Sequence, residues 1–509
     1  MEPRKISSFV GKVWESDIVP QLVDYIRIPN KSPAFDPDWE KAGHMKRAVD
    51  QIAGWCKEQP IEGLTVEVVQ LEGRTPLIYM EVPGEGDDTV LLYGHLDKQP
   101  EMTGWFDGLG PWIPVRKGDK LYGRGGADDG YAAYASLTAI RALREAGGTH
   151  SRCVIIIEGC EESGSYDLPH YIDALKDRIG SPSLVVCLDS GCGNYDQLWC
   201  TTSLRGVIGA NVTVDVVKEG VHSGDASGVV PSSARIMRNL LERLEDSKTG
   251  AIIPKQFHAK IPKQREQQAK LAGRVLGDDM WKRFQWAGGT KPMSKNLSEL
   301  VLNRTWRPFL EVVGADGLPP AEKAGNVLRP STTFKLSLRL PPTADPEKCS
   351  QHLEKVMTQK PLHGAKVSVT LDEPGGGWNA PALSPWLEKA CDRASNEFFK
   401  KPCVYMGEGG SIPFMGMLGE KFPAAQFMIT GVLGPKSNAH GPNEFLHIPM
   451  GKKLTASVAM VLQDHLNRGS DAKPASGKKK AKDKSKKGKS KQAKSKQAKS
   501  KKGSSKKAK

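Results

Sequence analysis

Four apolar runs in this chain each break off at a histidine or an acid. TVLLYG runs into His95-Leu96-Asp97, CVIIIEGC into Glu161-Glu162 and SLVVCL into Asp189, while AAQFMITGVLGPKSNA leads to His440. Short continuous runs of Val, Ile and Leu are the pattern of strands buried on both faces, and helical patterns at 131–146 and 168–177 separate them. This alternation predicts an α/β fold, with a mostly parallel sheet covered by helices. Ligands in such sheets bind beyond the carboxyl ends of the strands, which is where the polar clusters fall. A fifth cluster, Asp128-Asp129, follows the glycine-rich LYGRGGA.

Two histidines and several carboxylates, with no required cysteine, suit a pair of divalent ions that activate one water. His95 and Asp97 alternate at a strand end and share a face, so Asp97 suits the carboxylate that holds the second nitrogen of a liganding imidazole. Standing alone, the same pair reads as a core histidine near a surface acid. A carboxylate of Asp128-Asp129 could bridge two cations or cap the helix that follows. Glu161 and Glu162 end a run apolar enough to make their charge costly without cations. One suits a metal ligand and the other a general base, unless both are solvated loop acids.

At 509 residues the chain exceeds one ordinary core. Beyond residue 205 the pattern changes to alternating strands (GVIGANVTVDVV, TTFKLSLRLP, AKVSVTLDE), which predict a half-exposed antiparallel sheet. The expected organisation is a catalytic domain over 1–205 and 385–469, interrupted by an α+β lid and dimerisation domain over 206–384. Residues 250–325, rich in Lys, Gln, Gly and Pro, give no clear pattern. The net charge of +15 is misleading, because residues 471–509 hold 18 lysines and two acids, and the rest is close to neutral. Nothing over 470–509 can bury a core, so that tail is expected to be disordered. It would attract phosphate in a salt-dependent way, but lacks arginine and aromatics for base reading. Contact with nucleic acid or an anionic surface through 470–509 is therefore at most accessory. Nine cysteines without CxxC spacing read as reduced core thiols. With no run of ~18 apolar residues and no signal-like leader, the expectation is a cytoplasmic protein that does not enter a membrane.

The segments GHLDKQP, GRGGADDG, EGCEESGS, the HSG of EGVHSGDASG, EGGSIP and AHGPNE occur in this order. Together they resemble the M20 family of dinuclear zinc peptidases, and within it the longer carnosinase and PepV-like dipeptidases, over residues 20–468. The resemblance implies hydrolysis of the amide bond of dipeptides or similar small peptides by a water bridging two metal ions. Zinc is the ion implied, with Mn or Co compatible with the same ligands. Asp128 would bridge the ions, His95 and Asp189 would hold one, and Glu162 and His440 the other. Glu161 would be general base, Asp97 would hold His95, and the Asp128–Asp129 peptide would be cis. The resemblance further implies a homodimer in which His222 of one subunit steadies the oxyanion in the other. Arg339, Gly410 and Ser411 would take the substrate's terminal carboxylate, and Glu408 would face its amino end. N-acyl or N-carbamoyl amino acids are the alternative substrates. Two positions depart from the family pattern: Lys98 replaces a valine, and Gly130-Tyr131 replaces Lys-Gly after the aspartates.

Overall fold

The computed structural model describes residues 1–468, so the lysine-rich segment 470–509 lies outside the described residues. The apolar runs form a six-stranded sheet in the order Thr65–Val69, Leu77–Val82, Arg152–Glu158, Thr89–His95, Leu184–Cys187, Gln426–Ile429. The last four strands are mutually parallel, while the first two pair antiparallel at one edge. Every residue of Thr89–His95 and Leu184–Cys187 is buried, as continuous apolar runs require. His95 ends its strand opposite Glu158. The chain therefore leaves four parallel strands at the same end, toward Asp97, Glu161, Asp189 and His440.

The helix Ala132–Glu145 is buried nearly all round rather than amphipathic. It lies between the sheet and an outer layer formed by the helices Pro3–Val13, His44–Lys57 and Ile448–Asn467. Its small residues permit that double packing. A Cβ on Gly94 would collide with Ala132 Cβ and Asp129 Oδ2, so the glycine lets the helix start close against the His95 strand. No helix among the described residues is long and apolar enough to cross a membrane.

A second, four-stranded sheet is antiparallel throughout, in the order Phe309–Asp316, Ser331–Leu340, Gly206–Asp215, Lys366–Leu371. Its inner face packs on the helices Ser233–Leu241 and Pro346–Thr358 in a core of its own. A third sheet places Trp199–Leu204 between Trp378–Asn379 and Val404–Glu408, and Arg205 alone separates it from the long strand Gly206–Asp215. Between Gly206–Asp215 and Phe309–Asp316 the chain makes an excursion. The helices Lys263–Leu276 and Leu297–Thr305 pack on each other and on Val404–Glu408, and Ala269, Ala272, Val301 and Trp306 join the largest core.

The C-terminal helix is locked to the sheet by His465, whose ring meets Ser151 Oγ at 3.1 Å and Ser183 Oγ at 2.8 Å. Burial pushes its pKa down to about 4. An unfolded histidine titrates near 6.5, so as pH falls the unfolded chain binds the proton first, and this stabilisation is lost between about pH 6.5 and 4. His465→Gln is expected to flatten the fall in urea stability over that window relative to wild type. Parallel curves for the two proteins would contradict this. Gly94→Ala is expected to destabilise by about 1–3 kcal/mol through overpacking, read from the same denaturation.

Candidate active site

The five clusters converge. His95 Nε2 lies 3.5 Å from Asp128 Oδ1 and 3.8 Å from Asp189 Oδ1. His440 Nε2 lies 3.1 Å from Asp128 Oδ2 and 3.4 Å from Glu162 Oε2. Two donor triplets result, His95/Asp128/Asp189 and Asp128/Glu162/His440, and they share Asp128. The Asp128–Asp129 peptide is cis. His95 Nε2 and Asp128 Oδ2 are buried without a hydrogen-bond partner, although buried polar groups nearly always have one. Imidazole and carboxylate donors facing one another across a few ångströms, with orphaned lone pairs between them, fit divalent cations.

Electrostatics point the same way. Burial pushes the Glu161 carboxyl well up and the Asp189 carboxylate adds to this, while Glu162 is raised by burial and then by Asp128. Burial would raise Asp128 too, but the imidazoles of His440 and His95 pull it far below the usual carboxylate range. His95 is moved oppositely: burial disfavours its cation, yet Asp189 and the other surrounding carboxylates raise it well above the ordinary value. The protein supplies more negative charge here than two imidazoles can balance.

Asp97 does more than hold His95. Its carboxylate lies 3.5 Å from His95 Nδ1, and its two oxygens accept from Glu161 N and Glu162 N, each at 3.0 Å. One buried residue thereby holds His95, whose Nδ1 also lies 3.1 Å from the Asp97 carbonyl, and the acidic turn on the neighbouring strand. Gln99 donates to Glu162 Oε2 at 2.5 Å. Behind the site, Arg124 and Glu444 form a fully buried ion pair. Arg124 Nη2 also donates to the carbonyls of His440 and Gly441, at 2.9 and 3.0 Å, and Glu444 Oε1 accepts from Gly125 N at 2.8 Å. Lys98 donates to the Tyr25 and Ile28 carbonyls, both at 2.8 Å, and its stem lies where a Cβ on Gly125 would fall. It ties the first helices to the loop that carries Asp128.

The cluster opens into a cavity of about 780 Å³ that Glu408, Gly410 and Ser411 also line. Arg339 reaches toward Ser411 Oγ, at 3.5 Å, from the antiparallel sheet. Glu408 is already paired with Arg304 at 2.9 Å. Arg205 stitches this loop to the junction of the two smaller sheets, donating to Gly409 O while its own carbonyl accepts from Ser411 Oγ at 2.6 Å. His222 sits elsewhere: it is exposed on the short strand Val221–His222, paired with Val327–Leu328, and does not line the cavity of its own chain. Sequence reasoning missed Gln99, Arg124, Arg205, Arg304 and Glu444. A signal existed for Arg124 and Glu444, charged residues inside the quoted GRGGADDG and AHGPNE segments, but none for Arg304.

The sequence profile of peptidase family M20/M25/M40 matches residues 91–464. The chain belongs to this family. Among its M20 relatives, the cysteinylglycine-S-conjugate dipeptidase of Corynebacterium striatum is 24% identical over 400 residues, covering 78% of this chain and 85% of that one. The Beta-Ala-His dipeptidase of Homo sapiens is 26% identical over 371 residues, covering 68% and 69% respectively. The crystal structure of human carnosine dipeptidase 1 superposes with a TM-score of 0.71 at 21% identity, over 92% of this chain and 99% of that one. The fold is therefore that of the M20 peptidases.

Removing one member of the Arg124–Glu444 pair strands a buried charge. Glu444→Ala is expected to lose about 3–5 kcal/mol in chemical denaturation, whereas the double variant Arg124→Met/Glu444→Leu should recover much of it. Equal losses in both would contradict the brace.

Proposed function

We propose that the chain is a metal-dependent dipeptidase that holds two divalent ions and cleaves the amide bond of dipeptides or similar small peptides. The observation that carries this reading is the pair of donor triplets meeting at Asp128, with Glu161 lining the same cavity. His95 and Asp189 would hold one ion, Glu162 and His440 the other, with Asp128 between them. Zinc is the ion we favour, and Mn or Co suit the same donors. When bound, the ions supply Lewis acidity and lower the pKa of water to near neutrality.

The chain's own groups do the rest. Asp97 keeps His95 and the Glu161–Glu162 turn in register, so that Glu161 presents a free carboxylate to the cavity. Glu161 accepts the proton of the attacking water and returns it to the leaving amine nitrogen. Gly410, Ser411 and Arg339 receive the substrate's carboxylate, a role supported by the approach of Arg339 to Ser411. Glu408 faces the amino end, its charge moderated by Arg304. His222 serves the oxyanion of a second copy. Its exposure outside the cavity of its own chain is compatible with such a homodimer. Nine free, buried cysteines support a reducing, cytoplasmic setting.

Glu161→Gln is expected to abolish dipeptide turnover while metal analysis still finds close to two ions per chain. Turnover near the wild-type rate would remove Glu161 from this role. On a panel of dipeptides and N-acetyl amino acids the dipeptides should be the better substrates. The reverse order would favour the amidohydrolase alternative.

A further inference from the structure

The excursion 263–306 contributes more than packing. Its turn after Lys263–Leu276 supplies Met280 and Arg283, and its second helix supplies Arg304, all three bordering the cavity of the ligand cluster. The same three residues border a second hollow of about 650 Å³, so the two spaces adjoin. The walls of the second hollow include Trp281, Phe284, Trp286 and Met293. Phe284 is 54% exposed and Met293 61%, which leaves a substantial apolar surface unpartnered within the chain. The turn is nonetheless built. Trp286 Nε1 donates to Trp281 O at 2.9 Å, the Phe284 and Trp286 rings meet edge-on at 6.4 Å, and the Arg283 guanidinium sits 4.8 Å from the Phe284 ring.

Charge narrows what can occupy it. Four guanidiniums line this hollow against one carboxylate, Glu311. Arg205 spends its donors on the carbonyls of Gly409, Asn303 and Arg307, and Arg304 is paired with Glu408. Among the described residues Arg283 and Arg339 have no carboxylate partner, Arg339 reaching only Ser411 Oγ. An apolar, aromatic-lined space with two uncommitted guanidiniums is complementary to a large apolar side chain beside a carboxylate.

We propose that this hollow receives the side chain of the substrate's C-terminal residue, that this residue is bulky and apolar, and that its free α-carboxylate stays at the border of the two spaces, between Arg283 and the Arg339–Ser411 contact. The proposal rests on the dipeptidase reading and adds a substrate class to it. Shared borders with the catalytic cavity favour substrate over a second copy of the chain as the occupant.

The test compares kcat/KM of the full, metal-loaded protein for Ala-Phe and Ala-Trp against Ala-Gly. A preference of at least about 10-fold for the aromatic peptides is expected. In Trp286→Ala this ratio should fall toward one, and Arg283→Gln should slow Ala-Phe more than Ala-Phe amide. A readout independent of turnover is binding of free L-phenylalanine against glycine by calorimetry, with and without Trp286→Ala. If no dipeptide is cleaved yet phenylalanine binds in a Trp286-dependent way, the hollow keeps its ligand class and the dipeptidase reading falls. Cleavage of Ala-Gly as fast as Ala-Phe, with no phenylalanine binding, overturns the proposal and leaves the dipeptidase reading intact. A Trp286→Ala protein that changes from dimer to monomer in light scattering also overturns it, because a second copy then covers this face.

Discussion

Asp128, Asp129, Glu161, Glu162 and Asp189 are packed about one imidazole in a largely desolvated site, and each carboxylate makes its neighbours harder to ionise. Burial strips much of their hydration even where they line the cavity, and His95 with His440 cannot balance them. Such a cluster is stable in its charged form only if cations enter it. His95 Nε2 and Asp128 Oδ2, buried without a hydrogen-bond partner, belong to the two donor triplets that could take such cations. The rest of the structure serves to hold these groups in that unfavourable proximity.

Four parallel strands do the first part by ending together, which brings residues more than 300 positions apart to one rim. Rigid cross-ties do the second. Asp97 spans two strands, Arg124 with Glu444 pins the His440 loop to the glycine turn, and Lys98 anchors the first helices beneath that turn. The anchors are charged groups buried with their partners, so each holds its position only while the whole set is intact. The acidic cluster and its basic supports are in this sense one construction.

Much of this was legible in the sequence, and the reasons are physical. TVLLYG, CVIIIEGC and SLVVCL carry the short, continuous apolar pattern of strands buried on both faces, and the residues that follow such strands fall at the ligand end of the sheet. Three strands of the second sheet showed in the sequence as alternation. Its edge strand Phe309–Asp316 did not, because it lies in the patternless stretch 250–325 together with the excursion 263–306. Lys263–Leu276 makes its contacts through Ala269, Ala272 and Gly273, and a Cβ on Gly273 would lie 3.0 Å from the Leu297 backbone. Close packing of small residues leaves no apolar periodicity to find. Its buried Arg265 bonds Asn379, Ala380 and Gln268, which reads in sequence as one more surface cation. Similarly, Arg304 gives no hint that it neutralises Glu408, since that pairing exists only in three dimensions.

The family pattern carries a valine where this chain has Lys98, and the structure shows why the exchange is tolerated. The lysine stem fills the space under Gly125, and its ammonium finds two carbonyls and the face of Tyr25 at 3.8 Å. A departure at a motif position is thus accommodated behind the cluster, by contacts with Tyr25 and Ile28.

Anomalous diffraction from crystals of the metal-loaded protein, recorded at the absorption edge of the added ion, addresses the central claim most directly. Two peaks about 3.5–4 Å apart, with the Asp128 carboxylate between them, are the expected result. A single peak, or peaks away from Asp128, would contradict the account.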